Sequence, residues 1–120
     1  MERTRIGLIG PNGRLGSAIQ ILARKNEQLV ILPLPRGSES QVNNLLESID
    51  VFLDVSLPSA SLFYLNALLK NRAVVPYVIG CTGWTADQLS KAHQYAKQSS
   101  VVFAAKLSAA IYVLIDALES

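Results

Sequence analysis

The sequence predicts an α/β domain built on a doubly wound parallel sheet, and three observations carry that prediction. Its strands read as short, solid apolar runs, the pattern of strands buried on both faces. Each run is followed by a stretch whose apolar residues recur at helical spacing, as strand–helix–strand crossovers require. A glycine-rich loop, Gly10-Pro11-Asn12-Gly13-Arg14-Leu15-Gly16, joins the first run to the first helix.

Taken in order, Ile6-Gly7-Leu8-Ile9 is a buried strand stopped by glycine and proline. From Arg14 to about Lys25, the residues Leu15, Ala18, Ile19 and Leu22 form one apolar helical stripe. Leu29 to Leu34 is the second strand, closed by Pro33, Pro35 and Gly37. Gln41 to Ser48 forms a short helix with Val42, Leu45 and Leu46 on one face, and Val51-Phe52-Leu53 is the third strand, ending in Asp54. Pro58 suits the first turn of a helix that runs through Leu62, Leu65, Leu68 and Leu69. Val74 to Ile79 reads as a fourth strand, although Pro76 within it removes a ladder donor. Thr85-Ala86-Asp87-Gln88 has capping-box spacing and opens a helix to about Gln98. Val101 to Ala105 is the fifth strand, and Ile111, Leu114, Ile115 and Leu118 give a last apolar helical face. No repeat, low-complexity tract or long linker interrupts the chain, so a single domain over residues 1–120 is expected.

Composition narrows the function. Half the residues are hydrophobic and 17% are charged, which suits a folded protein and argues against disorder. A net charge of +2 with scattered basic residues leaves no electrostatic footprint for nucleic acid or an anionic membrane. Cys81 is the only cysteine, so one chain can form neither a disulfide framework nor a cysteine-rich zinc site, and no metal is expected. The apolar stretch before Gly10 is too short for a secretory signal or a membrane span, which makes the cytoplasm the expected location.

The glycine loop carries the first chemistry. Gly-x-x-Gly-x-x-Gly between a strand and a helix is a relative of the Rossmann dinucleotide fingerprint. Gly10 permits a tight turn, Gly13 lets the backbone approach a pyrophosphate, and Gly16 lets helix and strand pack closely, while free N–H groups at the helix start receive the anion. The competing reading is an ordinary turn with convenient glycines. The end of the second strand bears on which cofactor binds. NAD-binding domains place an acidic residue there, about twenty residues past the loop. This chain has Arg36 and Ser38 instead, with no acid before Glu39, which suits a 2′-phosphate and favours NADPH over NADH. Later strand ends, Asp54-Val55-Ser56, Gly80-Cys81-Thr82-Gly83 and Ala104-Ala105-Lys106-Leu107-Ser108, would line the same crevice.

Four ordered motifs carry a family resemblance: the glycine loop, Asp50 to Pro58, Ile79 to Trp84, and Val102 to Ser108. Together they resemble the N-terminal, cofactor-binding domain of dihydrodipicolinate reductase through nearly the whole chain. The resemblance implies hydride transfer from NADPH or NADH to a small cyclic dicarboxylate in diaminopimelate and lysine biosynthesis. It implies that Gly10, Pro11, Asn12, Gly13, Arg14 and Leu15 hold the pyrophosphate and Arg36 the adenosine ribose or its phosphate. Ser56 joins the cofactor-binding set from the third strand end. Gly80, Cys81 and Thr82, with Ala104, Ala105, Lys106 and Leu107, would hold the nicotinamide half. The chain departs from the family pattern at Lys106 and Leu107, where asparagine and phenylalanine are usual, and at Ala110 and Tyr112, where glycine and asparagine are usual. Cys81 stands where threonine is common.

The family's paired-histidine and lysine motif and its Ser-Gly-Thr substrate loop are absent from the sequence, and no catalytic residue is assigned. His93, the only histidine, falls inside a surface helix. Without a proton donor to accompany the hydride, this chain is expected to bind cofactor without turning over. Its last helix stops where the family's chain continues, which fits an excised piece of a longer protein. The family's homotetramers are built largely by the second domain, so this chain is expected to be monomeric or weakly associated. The alternative is a stand-alone or degenerate NADP(H)-binding sensor module without catalysis; a third reading, the N-terminal half of another NADP-dependent dehydrogenase, is disfavoured by the Gly80-Cys81-Thr82-Gly83-Trp84 stretch and the capped helix after it.

Overall fold

The computed structural model describes residues 3–35, 37 and 41–104. Its elements run β1 (Thr4–Ile9), α1 (Arg14–Ala23), β2 (Leu29–Leu34), α2 (Val42–Leu45) with a 3-10 turn Leu46–Ser48, and β3 (Val51–Asp54). Then follow α3 (Pro58–Lys70), β4 (Tyr77–Ile79), α4 (Ala86–Ala96) and β5 (Val101–Phe103). All strand pairs are parallel, in the order β2-β1-β3-β4-β5.

The alternation of side chains along β1 and β3 divides the interior into two layers. On one face, Ile9, Phe52, Tyr77 and Ile79 pack beneath Val42 of α2, Tyr64, Leu65 and Leu68 of α3, and Ala92 and Tyr95 of α4. On the other, Leu8 packs beneath Leu15 and Ile19 of α1, with Ile31, Leu53 and Val55 at its margin. The helical stripe expected around Leu15 and Ile19 is therefore the buried one. Helices cover both faces, as the sequence pattern requires, and each fully buried aliphatic or aromatic side chain contributes roughly 1.5–3 kcal/mol. No helix among the described residues is long and apolar enough to cross a membrane.

Proline decides two strand boundaries. Pro33 lies within β2 and is accommodated because β2 is an edge strand. Near β4 the outcome differs from the expected Val74–Ile79: the strand begins only at Tyr77. Residues before Pro76 direct their carbonyls elsewhere, Val74 O accepting from the Ser99 hydroxyl (2.7 Å) and Val75 O from the Tyr95 hydroxyl (2.6 Å). Those bonds satisfy the backbone locally, so no ladder forms there. Helix α4 opens on the full capping box, Thr85 Oγ1 accepting from Gln88 N–H and the Gln88 side chain accepting from Thr85 N–H. It ends at Ala96 rather than about Gln98, as the Lys97 N–H turns to the Gln94 carbonyl in a tighter last turn. Strand β5 ends at Phe103, with Ala104 beyond it. Ala105 and the apolar face at Ile111, Leu114, Ile115 and Leu118 lie outside the described residues.

Candidate functional site

Because β1 sits between β2 and β3, the chain leaves β1 toward one face of the sheet and β3 toward the other. The two departing loops part at the carboxyl edge and open a crevice, the usual ligand position in an open α/β sheet. A cleft of about 720 Å³ lies there, between Gly10–Leu15 on one side and Val55–Ala60 on the other. Gly80, Cys81 and Thr82 extend it across the end of β4.

Gly10 has φ +86°, the left-handed region where a side chain is strained, and a β-carbon there would stand 2.9 Å from the Cα and N of Ser56. The two loops are thus packed backbone to backbone, an arrangement continued by the Val55 N–H bond to the Ile9 carbonyl (3.0 Å). Gly16 serves the loop itself. Its β-carbon would lie 2.0 Å from the Gly10 carbonyl and 2.9 Å from Pro11, so the close packing is between helix and loop. Gly13 is different. It is the N-cap of α1 in extended backbone, and a β-carbon there meets only the Gly10 carbonyl, at 3.8 Å. Among the described residues no side chain caps α1 and its first turn holds no acid, so the positive end of its dipole lies at the cleft lining.

The floor is polar and ordered. Asp54, at the end of β3, is fully buried. Its Oδ1 accepts from the Ser56 N–H (3.0 Å) and the Ser56 hydroxyl (2.6 Å), while its Oδ2 accepts from the Tyr77 hydroxyl. Burial, together with the adjacent Asp54 charge, pushes the Tyr77 phenol well above its usual range. Tyr64 of α3 donates to the Pro35 carbonyl (3.1 Å), pinning the end of β2 to the cleft wall. Cys81 is half-buried and its sulfur accepts from the Trp84 indole N–H (3.2 Å). Burial pushes its thiol up, the Trp84 bond partly opposing it.

Of the residues singled out in the sequence, Gly10, Pro11, Asn12, Gly13, Arg14, Leu15, Ser56, Gly80, Cys81 and Thr82 meet at this one cleft. Ala104 stands at the same sheet edge, its N–H bonded to the Ile79 carbonyl (2.7 Å). Arg36, Ala105, Lys106 and Leu107 lie outside the described residues. His93 is exposed on α4, away from the cleft lining. Tyr64 and the Asp54–Tyr77 pair were not anticipated. A signal for Tyr64 existed, since it shares the buried face of α3 with Ser61, Leu65 and Leu68, and polar groups on such a face seek partners.

The parallel sheet, the crevice between β1 and β3 and the uncapped helix start define an α/β domain of the Rossmann class. A family model described as dihydrodipicolinate reductase, N-terminus, matches residues 4–107. The chain belongs to that family of N-terminal domains. It is 27% identical over 122 residues to 4-hydroxy-tetrahydrodipicolinate reductase of Bdellovibrio bacteriovorus, covering 100% of this chain and 52% of that protein. It is 31% identical over 115 residues to the enzyme of the same name from Zymomonas mobilis, covering 92% and 44%. The chain spans about half the length of these relatives. A dipicolinate-bound dihydrodipicolinate reductase from Paenisporosarcina sp. TG-14 shares the fold, with a TM-score of 0.61 and 24% identity over 82% of this chain and 46% of that one.

Proposed function

We propose that this chain is the NAD(P)H-binding part of a 4-hydroxy-tetrahydrodipicolinate reductase, with NADPH preferred over NADH. The observation that supports this reading best is the start of α1: a helix N-terminus without a side-chain cap among the described residues lines the switch-point cleft, and a β-carbon on Gly13 would meet the Gly10 carbonyl only at van der Waals distance. A pyrophosphate fits there by charge and by the donors it needs. Gly10 to Leu15 hold the pyrophosphate, and Ser56 lies against the adjoining sugar. Gly80, Cys81 and Thr82 at the cleft are assigned to the nicotinamide half, and the family resemblance adds Ala104 to Leu107 to that role. Arg36 follows the Pro35 carbonyl that Tyr64 fixes, and it supplies the charge for a 2′-phosphate.

When bound, the dinucleotide supplies the hydride. The acceptor class is a small cyclic dicarboxylate, in keeping with the dipicolinate bound in the Paenisporosarcina enzyme. Reduction also needs a proton donor and a seat for two carboxylates, both provided by the further part that the longer relatives contain. On its own this chain binds cofactor and does not turn over, in a cytoplasmic biosynthetic setting.

The test is a titration with NADPH and with NADH, following Trp84 fluorescence. Trp84 is the only tryptophan and donates to Cys81 at the cleft edge, so a ligand there alters its emission. Saturable quenching, tighter for NADPH, is expected. Absence of binding by the folded chain would sink the reading, and equal weakening of both cofactors by Arg36→Ala would remove Arg36 from its role.

A further inference from the structure

The polar floor under the cleft has a directionality that the binding reading does not use. Tyr77 lies opposite Phe52 in the β3–β4 register, its ring 5.9 Å from that of Phe52. Asp54 follows on the same face of β3, two residues on, so the Tyr77 hydroxyl reaches its Oδ2. The other oxygen, Oδ1, is left for Ser56 alone, which gives it both a backbone N–H and a hydroxyl. The Ser56 hydroxyl has a competing acceptor, the Leu57 carbonyl at 3.3 Å, but the bond to the carboxylate is 2.6 Å and charge-assisted, and it prevails.

A hydroxyl has one proton and two lone pairs. With its proton committed to a buried carboxylate, Ser56 can offer the cleft only acceptor capacity. Ser61, at 3.3 Å and fully buried, lies beneath this hydroxyl, so the open side is the one facing the cleft.

We propose that Asp54 is a positioning residue that fixes the polarity of Ser56, so that Ser56 accepts a hydrogen bond from a sugar hydroxyl or amide of the ligand and does not donate to phosphate. The proposal rests on the dinucleotide reading. It assigns phosphate to the helix start at Gly13 and a donor-bearing group to the opposite wall at Ser56. A phosphate against Ser56 would set oxygen lone pairs against oxygen lone pairs, and the ligand is thereby held in one orientation across the cleft.

The experiment titrates the chain with NADPH, and competes NADPH with inorganic pyrophosphate, which has neither a sugar hydroxyl nor an amide to offer. The proteins are wild type, Ser56→Ala, Ser56→Thr, Asp54→Asn and the Asp54→Asn/Ser56→Ala double variant. Losing one hydrogen bond to the ligand should weaken NADPH about tenfold in Ser56→Ala. Pyrophosphate affinity should stay unchanged, and Ser56→Thr, which keeps the hydroxyl, should restore NADPH. Asp54→Asn keeps an oxygen that accepts from Ser56 and removes only the charge assistance, so it should weaken NADPH modestly when residue 56 is serine and have no further effect when it is alanine. Equal loss of pyrophosphate and NADPH in Ser56→Ala would overturn the proposal, as would an unchanged NADPH affinity or an Asp54→Asn effect that is the same in both backgrounds. Should Asp54→Asn not fold, the wild-type chain still decides: the Ser56 hydroxyl proton must exchange slowly with water in proton NMR, and fast exchange refutes its commitment to Asp54. If wild type binds neither NADPH nor NADH, the dinucleotide reading itself has failed, an outcome distinct from normal binding that is indifferent to Ser56.

Discussion

The Gly10 carbonyl oxygen lies 2.0 Å from where a β-carbon on Gly16 would stand, so the glycine loop and the first turn of α1 are in backbone contact. Alanine is ordinarily the better helix former by about 1 kcal/mol, yet here the clash opposes it. Neither partner is a flexible side chain that can move aside. Gly16→Ala is therefore expected to destabilise the chain by roughly 1–3 kcal/mol, read as a lower urea midpoint. A higher midpoint would mean the loop is built differently.

Gly13 should behave in the opposite way. A β-carbon there would only touch the Gly10 carbonyl, at an ordinary 3.8 Å, so Gly13→Val should change stability by about 1 kcal/mol or less. Affinity for NADPH should fall by at least about tenfold, since the side chain would occupy the position given to the pyrophosphate. Unfolding and binding measured on one preparation separate the two effects.

Helix α4 offers a local test of capping. Thr85→Ala removes the acceptor for the Gln88 N–H and should cost about 1 kcal/mol. Gln88→Ala removes the reciprocal bond to the Thr85 N–H. The double variant should lose less than the sum of the two, because the bonds form one box. Thermal unfolding of the set would show this directly.

Acid sensitivity should begin at the opposite end of the sheet. The Arg5 side chain and its backbone N–H both bond to Asp50, holding that carboxyl below its ordinary value of 3.8. A carboxylate with a depressed folded-state pKa contributes stability that is fully present above its unfolded value and is lost as pH falls through the folded one. The contribution should thus be complete above about pH 5 and fade below about pH 4. Asp50→Asn should flatten the stability profile in that window, and the pair, being exposed, should also weaken with added salt.

Cys81 supplies a chemical probe of the cleft. Burial raises its thiol, so iodoacetamide at pH 8 should modify it more slowly than a free thiol, as followed by intact mass. NADPH should slow the reaction further, because Cys81 lines the cleft. Protection by NADPH in wild type but not in Gly13→Val would tie the two ends of the site together.

Much of the sheet could be read in advance because its strands are short apolar runs, several of them bounded by glycine or proline, and period and punctuation are local properties. The glycine loop was legible for the same reason. Pro76 marked the weak point of β4, but not that the Ser99 and Tyr95 side chains would take the carbonyls of Val74 and Val75. Those partners lie 20 and 25 residues away, beyond the reach of any local pattern. The same holds for Asp54 and Tyr77, which meet only because β3 and β4 adopt one particular register. Asp54 showed itself in the sequence as a strand terminus, and its role beneath Ser56 required the pairing. Tyr64 was signalled as a polar group on the buried face of α3, but its partner, the Pro35 carbonyl at a distant strand end, was not.

The order β2-β1-β3 also has a consequence for how the chain emerges from the ribosome. As residues are added, β1 and β2 can pair early, with α1 laid over their common face, while one edge of β1 still waits for β3. Until Val55 to Ala60 arrive, the cleft has a single wall, and the donors at the start of α1 face bulk water. A nascent chain can therefore display a glycine loop of the right shape well before it has anywhere to keep a ligand. Closure through non-local pairing is the slow kind of event in folding. Recognition in this domain is thus a late-maturing property, acquired when the third strand docks and not when the loop is made.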